Sequence, residues 1–509
     1  MARPTVSHNY THRVLDSLDR QPERIACHQP DGTTFRRGDL SALIHRFAHV
    51  LAAKGVRRGS SVTLLSDNRV EIMAAKYAAN LLGARTTYLY NGLAAAVQAT
   101  IVAAVDTDVL VVDSALAGRA AEVLERAPVA TVLGLGSIGP GEDMLALADK
   151  APGDPVTPTE VDADDVCYIR HTGGTTGNPK RVQVTYATQS SLYDLMSTVV
   201  DADMVLLLCM PLSHAGGLSA EMVLGLGGRL VLHRGFDPAK VLADVAAHRV
   251  TELHLLPPLL YQVVDHPTAG DHDLSSLRSV SYGGSSASPT KIAQALGLFG
   301  PVLVQVYSQN EASVICELSA QEHLEPELLA TVGRPVPGAR VTIRDEDGNE
   351  LPTGREGEVC VRSSTAAKGY WRNPELTARV WRGGEVRTGD VGYFDERGYL
   401  HLRGRMEDVV IVVGGYVYPA ELEEVLVRHP AIAQAAVFAV PDVDEVERVH
   451  AAVVARWGRG VTPEQVRAFV TAELGAMYAP HQVHLVERLP LTDAGKPDKK
   501  LLRRSTAGR

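Results

Sequence analysis

The sequence predicts an α/β protein with a large N-terminal domain of α/β subdomains, a small antiparallel β unit and a smaller α/β C-terminal domain. Three observations carry this. The chain has 509 residues, too many for a single hydrophobic core. Strand-like and helix-like apolar patterns alternate over its first part. Near Val332 the texture changes to short strands and turns, and after Arg405 a fresh α/β pattern begins.

Taken in order, "LSALIHRFAHVLAAKGV" has helical apolar spacing and stops at Gly55, and "SVTLLSD" is a buried strand. "VEIMAAKYAANLLGA" is a second helix and "TDVLVVD" a second strand. Such alternation implies a parallel sheet covered by helices. The pattern resumes with "MVLLLCMPL" (strand), "LSAEMVLGLGG" (helix), "RLVLH" (strand) and "PAKVLADVAAHRV" (helix). The strands "TELHLLP" and "LRSVSYGG" follow. "ARVTIRDEDGNELPTGREGEVCVRS" reads as a small antiparallel unit, with Asp347-Gly348 as a hairpin signal. "GRMEDVVIVVGGYVYPAELEEVLVRHP" opens the last segment. The expected boundary lies at Arg405 to Asp408, giving domains 1–404 and 405–509. "GLGSIGPGED" and "KAPGDPVTPTE" read as surface loops.

Composition bounds the function. Hydrophobic residues make up 45% and charged residues 22%, as in an ordinary globular enzyme. A net charge of −10 argues against an extended nucleic-acid surface. The five cysteines, Cys27, Cys167, Cys209, Cys316 and Cys360, lie far apart without a CxxC pair, so buried free thiols in a reducing compartment are expected. No signal peptide or membrane-spanning run is evident, which points to the cytoplasm.

The stretch "YIRHTGGTTGNPKRVQVTY", Tyr168 to Tyr186, is crowded with glycine and threonine, and Lys180 stands behind a proline. It reads as a loop, since glycine and proline disfavour the interior of a helix or strand. Backbone N–H groups and threonine hydroxyls in such a loop suit phosphate oxygens. The spacing is neither GxxxxGK[ST] nor GxGxxG.

Further motifs follow: "YGGSSAS" (Tyr282 to Ser288), "YSQNE" (Tyr307 to Glu311), "RTGDVGYFDERGYLHLRGR" (Arg387 to Arg405), "GGYVYPAELEE" (Gly414 to Glu424) and "PLTDAGKPDKK" (Pro490 to Lys500). With the glycine-threonine loop, which fits [ST]SGTTGxPKG, they resemble, in order and over nearly the whole chain, the acyl-adenylate-forming superfamily. That superfamily includes acyl-CoA synthetases, adenylation domains of peptide synthetases and luciferases.

The resemblance implies an ATP- and Mg²⁺-dependent acid ligase. A carboxylate attacks the ATP α-phosphate, and the resulting acyl adenylate passes its acyl group to a second nucleophile. Thr172, Gly174, Thr175, Thr176, Gly177 and Lys180 would cradle the β/γ-phosphates. Glu311 would hold Mg²⁺, a hard cation suited to carboxylate and phosphate oxygen, with Thr176 as a further ligand. Tyr307 would stack on adenine, walled by Gly284, Ser285 and Ser286. Asp390 would accept from the ribose hydroxyls, and Arg405 would approach ribose or phosphate. Lys496 would bridge the carboxylate and the α-phosphate from a mobile C-terminal domain. Its neighbours Lys499 and Lys500 read as surface charges.

His214, in "MPLSHAGGL", matches the PLxH of acyl- and aryl-CoA synthetases and would lie near the acyl pocket. The aspartate that pairs an α-amine in peptide-synthetase domains is absent beside it, which disfavours an α-amino acid. No carrier domain is expected after Lys496.

This sequence departs from the family pattern at several places. Gly173 replaces the loop serine, and Arg181 its last glycine. Ser308-Gln309-Asn310 stands for Gly-x-Thr; the Asn310 amide can donate where threonine would offer a hydroxyl. Glu407 occupies the hinge, and Tyr416 to Tyr418 stand near the route of the CoA pantetheine arm.

The favoured reading is adenylation of a small or aromatic carboxylic acid followed by transfer to CoA. One alternative keeps adenylation but changes the acceptor to an amine or a carrier protein, and the acid to an unusual one, even nitrous acid as in diazo-forming relatives. Another is a non-catalytic ATP/AMP-binding regulator.

Overall fold

The computed structural model describes residues 9–139, 141–171, 179–412, 415–441, 447–492 and 495–506. The chain forms two compact units. One comprises Met1–His254 and Ser364–Arg379, the other Leu255–Ser363 and Val380–Arg509.

The first unit holds an eight-stranded sheet. In spatial order its strands are Gly369–Tyr370, Arg181–Thr185, Val166–His171, Arg85–Tyr88, Ser61–Leu65, Val109–Asp113, Thr131–Leu135 and Glu142–Asp143. Ser61–Leu65 runs parallel to both neighbours. Its side chains and those of Val109–Asp113 are buried throughout, as strands covered on both faces must be. The helices Arg37–Ala53 and Val70–Leu81 form as their apolar spacing predicts. The first ends where Gly55 adopts φ +84°, a left-handed conformation that costs glycine little. In a second set of strands, Val205–Leu208 pairs in parallel with Arg229–Leu232 and with Glu252–Leu255. Ile25–His28 adds to Arg229–Leu232.

Three sequence expectations need correction here. The stretch Tyr168 to Tyr186 is largely a hairpin: Val166–His171 pairs antiparallel with Arg181–Thr185, with His171 opposite Arg181. The glycines that suggested a loop occupy only the connection, whose residues 172–178 lie outside the described residues. "GLGSIGPGED" is not simply a surface loop. Gly134 and Leu135 end a strand, Glu142–Asp143 forms the sheet edge, and Leu135 and Ile138 are buried. The helix expected from Leu218 begins earlier, spanning Ala215–Gly225 with His214 at its N-cap.

Among the described residues the second unit contains four β assemblies, one of them the two-stranded pair of Val410–Val412 and Gly415–Val417. Ser279–Gly283 runs parallel to Leu303–Gln309, which turns back on Ser313–Leu318. The expected small antiparallel unit is a five-stranded sheet. Ala339–Arg344, Gly357–Ser363, Glu385–Phe394 and Trp381–Arg382 lie in that order, and Leu400–Arg405 pairs with Glu385–Phe394.

The C-terminal segment builds a three-stranded sheet from Ile432–Pro441, Glu447–Ala455 and Gln482–Leu485. Alternation along Ile432–Pro441 sends Val437 and Ala439 to one face, against Leu422, Leu426, Val466 and Val470 from two helices. Ala436, Phe438 and Val440 go to the other, against Leu489 and Leu502. Each buried Val or Leu contributes roughly 1.5–3 kcal/mol, so both faces hold their helices on the sheet. All five cysteines are free and buried. Among the described residues no helix is long and apolar enough to cross a membrane.

Candidate active site

The site in the second unit starts from two glycines. A Cβ on Gly283 would lie 2.0 Å from the Val306 carbonyl oxygen, so the two parallel strands can approach only because Gly283 has none. Gly284 follows with φ +80°, and a Cβ there would meet Leu256 at 3.7 Å and Lys496 Cε at 3.8 Å. The lysine in the C-terminal motif thus reaches this loop. Gly495, just before that lysine, takes φ +78°, a left-handed conformation that suits glycine, and packs beside Leu259. Ser285 Oγ is buried and has no hydrogen-bond partner among the described residues, so the loop holds a polar atom suited to a polar ligand. Ser286 is exposed. Ser288 caps the helix Pro289–Phe299, its side chain accepting from the Lys291 amide.

A carboxylate forms the second element. Asp390 lies opposite Arg405 in the hairpin of Glu385–Phe394 and Leu400–Arg405, and this register places Arg405 Nε 2.7 Å from Asp390 Oδ1. Across to the neighbouring assembly, Tyr307 Oη donates to Asp390 Oδ2. Gln309 Nε2 donates to the same oxygen at 2.8 Å and to the Thr388 carbonyl at 3.0 Å. Successive same-face positions of one strand, Tyr307 and Gln309, therefore both serve Asp390. With three side-chain donors in place, the carboxylate has room for roughly one more.

Burial pushes the Asp390 carboxyl up, against the opposing pull of Arg405, Tyr307, Gln309 and Lys496. The Lys496 ammonium is pushed down, chiefly by its enclosure among protein atoms and then by Arg405, with Asp390 opposing. Lys496 and Arg405 keep accessible surface despite that enclosure.

Glu311 sits in the turn between Leu303–Gln309 and Ser313–Leu318 and is buried; against the opposing effect of burial, the Arg405 pKa is raised by Asp390 first, then by Tyr307 and Glu311. Asn310, beside it, is half-buried. Among the described residues no group of three or more His, Cys, Asp or Glu side chains could hold a metal alone. A single buried carboxylate fits magnesium, which keeps most of its waters and binds through one or two carboxylates plus phosphate.

The first unit carries His214 and Lys180. The His214 ring packs on Tyr90, centroids 3.8 Å apart at 47°. Tyr90 Oη donates to the His171 carbonyl, which ties this pair to the strand leading into the glycine-threonine loop. Lys180 is exposed, its Nζ 5.9 Å from the Tyr370 ring centroid. Thr172, Gly174, Thr175, Thr176 and Gly177 lie outside the described residues.

Sequence reading missed two positioning residues. Gln309 appeared only as a departure from a motif. Asn68 did not appear at all, yet its buried amide donates to the carbonyls of Met210 (2.8 Å) and His233 (2.9 Å) and accepts from the Leu212 amide (2.8 Å). It pins the segment that presents His214. Its signal was weak: a polar residue in a strand-to-helix turn, with partners far away in sequence.

Residues 14–371 match the AMP-binding enzyme family, and residues 421–496 match the AMP-binding enzyme C-terminal domain. The chain belongs to this family.

A medium/long-chain-fatty-acid–CoA ligase of Mycobacterium tuberculosis is 34% identical, with 97% of this chain and 89% of that protein covered. A feruloyl-CoA synthase of Amycolatopsis is 32% identical, covering 96% and 98%. Among solved structures, an amide bond synthetase, McbA, of Marinactinospora thermotolerans superposes with a TM-score of 0.88 at 38% identity, covering 98% of this chain and 99% of that one. ATP-bound MatB of Rhodopseudomonas palustris gives 0.88 at 27%, with the same coverage. The protein is an AMP-forming ligase with the fold of adenylate-forming enzymes.

Proposed function

We propose that this ligase adenylates a small or aromatic carboxylic acid with ATP, releasing pyrophosphate, and transfers the acyl group to CoA, releasing AMP. The observation that carries the first half is the place of Lys496. It lies against Gly284, in the field of Asp390 and Arg405, and has no ion-pair partner among the described residues. A cation so placed is available to an anionic substrate.

In this reading Lys496 stabilises the charge that develops as a carboxylate oxygen bonds to the α-phosphorus and pyrophosphate leaves. Asp390 takes a ribose hydroxyl at its remaining acceptor position. Tyr307 and Gly284 to Ser286 flank the base, Asn310 donates toward the α-phosphate, and Arg405 stands by ribose or phosphate. Glu311 and Thr176 are assigned to magnesium, which would offset phosphate charge when bound with ATP. Lys180 and the threonine-glycine loop are assigned to the β/γ-phosphates, and His214 to the acyl pocket. In the second half the CoA sulfur bonds to the acyl carbon, AMP departs with its phosphate oxygen, and the thiol proton passes to water. We further propose that 405–509 moves as a domain about Glu407 between the two halves.

Transfer to CoA is supported by the CoA ligases among the relatives. A second reading, transfer to an amine, is supported by the 38% identity with the amide bond synthetase over nearly the full length of both chains. Acid-dependent pyrophosphate release across aliphatic, aromatic and inorganic acids tests the first half. CoA, amines and a carrier protein offered to the preferred acid then decide the acceptor. Absence of release with every acid would overturn the proposal.

A further inference from the structure

Lys496 is useful only if held at the Gly284 loop, and two hydrogen-bonded links connect the flanks of both. The helix Pro289–Phe299 starts immediately after that loop, and its second residue, Thr290, donates from Oγ1 to Glu424 Oε1 at 3.0 Å. Glu424 lies on the helix Pro419–Arg428, with a side chain 15% exposed. The preceding residue, Glu423, makes the second link. Its Oε1 accepts from the Val437 amide at 2.8 Å and pairs with Lys499 Nζ at 2.8 Å. Lys499 begins the helix Lys499–Thr506, three residues after Lys496. It is therefore a tied cation, not the free surface charge its basic neighbourhood suggested.

From these contacts we infer that Glu423 and Glu424 form a carboxylate pair that positions Lys496 for adenylation, with Thr290 and Lys499 as its two anchors. Adjacent carboxylates on one helix point to different neighbours because successive helical residues are about 100° apart. One therefore reaches the helix that follows the loop, and the other reaches the helix that follows the lysine. Only the link through Glu424 depends on where the Lys496 segment sits relative to the Gly284 loop. Glu423 ties Lys499 to the helix that carries Glu424, so the two act in series. Lys496 itself has few restraints: a backbone bond from its amide to Thr492 Oγ1 at 3.3 Å, and its carbonyl accepting from the Thr492 amide at 2.7 Å. Both hold the turn, not its distance from Gly284.

The inference rests on the adenylation reading, and the test separates the two. Thr290→Val keeps the side chain's shape and removes the donor, whereas Thr290→Ser keeps the hydroxyl. Glu424→Gln and Lys499→Met probe the other ends. For each folded variant, pyrophosphate exchange is measured at varied ATP, and acyl transfer is measured from chemically supplied acyl adenylate. Thr290→Val should lower kcat for exchange about tenfold, the scale of one lost hydrogen bond to a charged group, with KM for ATP within about twofold. Transfer from the supplied adenylate should be retained. Thr290→Ser should restore exchange, and Lys499→Met should show the same split. Equal losses in both half-reactions, or a Thr290→Ser enzyme as slow as Thr290→Val, would overturn the positioning role. Failure of the wild-type protein to exchange pyrophosphate with any acid would instead overturn the adenylation reading.

Discussion

Replacing His171 with phenylalanine isolates one source of acid sensitivity. His171 ends a central hairpin strand, is buried, and has no hydrogen-bond partner for either ring nitrogen among the described residues. Burial, aided by the like charge of Arg181, lowers its pKa from 6.5 to about 3. Above 6.5 the ring is neutral in both folded and unfolded chains. As pH falls below 6.5 the unfolded chain takes a proton that the folded chain refuses until about 3, so stability is lost across that window. Those two values give a loss of about 2 kcal/mol between pH 7 and pH 5.

Phenylalanine retains the edge-on contact with Tyr90, where ring centroids are 6.3 Å apart, and cannot titrate. Urea unfolding of both proteins at the two pH values measures the difference. The wild type should lose about 2 kcal/mol more than the variant. Other depressed histidines, such as His450 at about 4, act on both proteins alike and cancel. Equal losses in the two proteins would refute the assignment.

Further outcomes follow from other parts of the site. Asn68→Ala orphans the Leu212 amide and two carbonyls, and should cost about 2–4 kcal/mol in denaturant unfolding. On the assignment of His214 to the acyl pocket, it should also raise KM for the acid more than KM for ATP. Glu311→Gln should raise the magnesium concentration for half-maximal pyrophosphate release by at least the roughly tenfold that even outer partners of a metal site are worth; an unaltered titration counts against metal ligation. Glu407→Pro, in the exposed turn Met406–Asp408, should spare one half-reaction and block the other, because proline fixes φ near about −65°. Parallel changes in the two rates count against the pivot.

What was legible in the sequence was local. Gly283-Gly284, Tyr307, Asp390, Arg405 and Lys496 each stand in short motifs, and the structure gathers them in one unit. The helix Arg37–Ala53 and the strand Ser61–Leu65 followed from apolar period alone. What escaped depended on distance. Gln309 meets Asp390 across 81 positions, and Asn68 meets Leu212 across 144, so no spacing rule connects them. The strand Arg85–Tyr88 carries two threonines and an arginine, and reads as polar although both threonines are buried between parallel neighbours. Glycine drew attention to the connection in Tyr168 to Tyr186 and hid the two strands around it. Lys499 was masked by its basic neighbours, since an ion pair with Glu423 leaves no mark on local charge pattern.

The central claim is that Lys496 acts in adenylation alone. Its most direct test is Lys496→Ala, assayed separately for acid-dependent pyrophosphate exchange and for acyl transfer from chemically supplied acyl adenylate. Loss of one pre-positioned charge donor should cut exchange by about 10²–10³-fold and leave transfer near the wild-type rate. Equal losses in the two half-reactions would contradict the account.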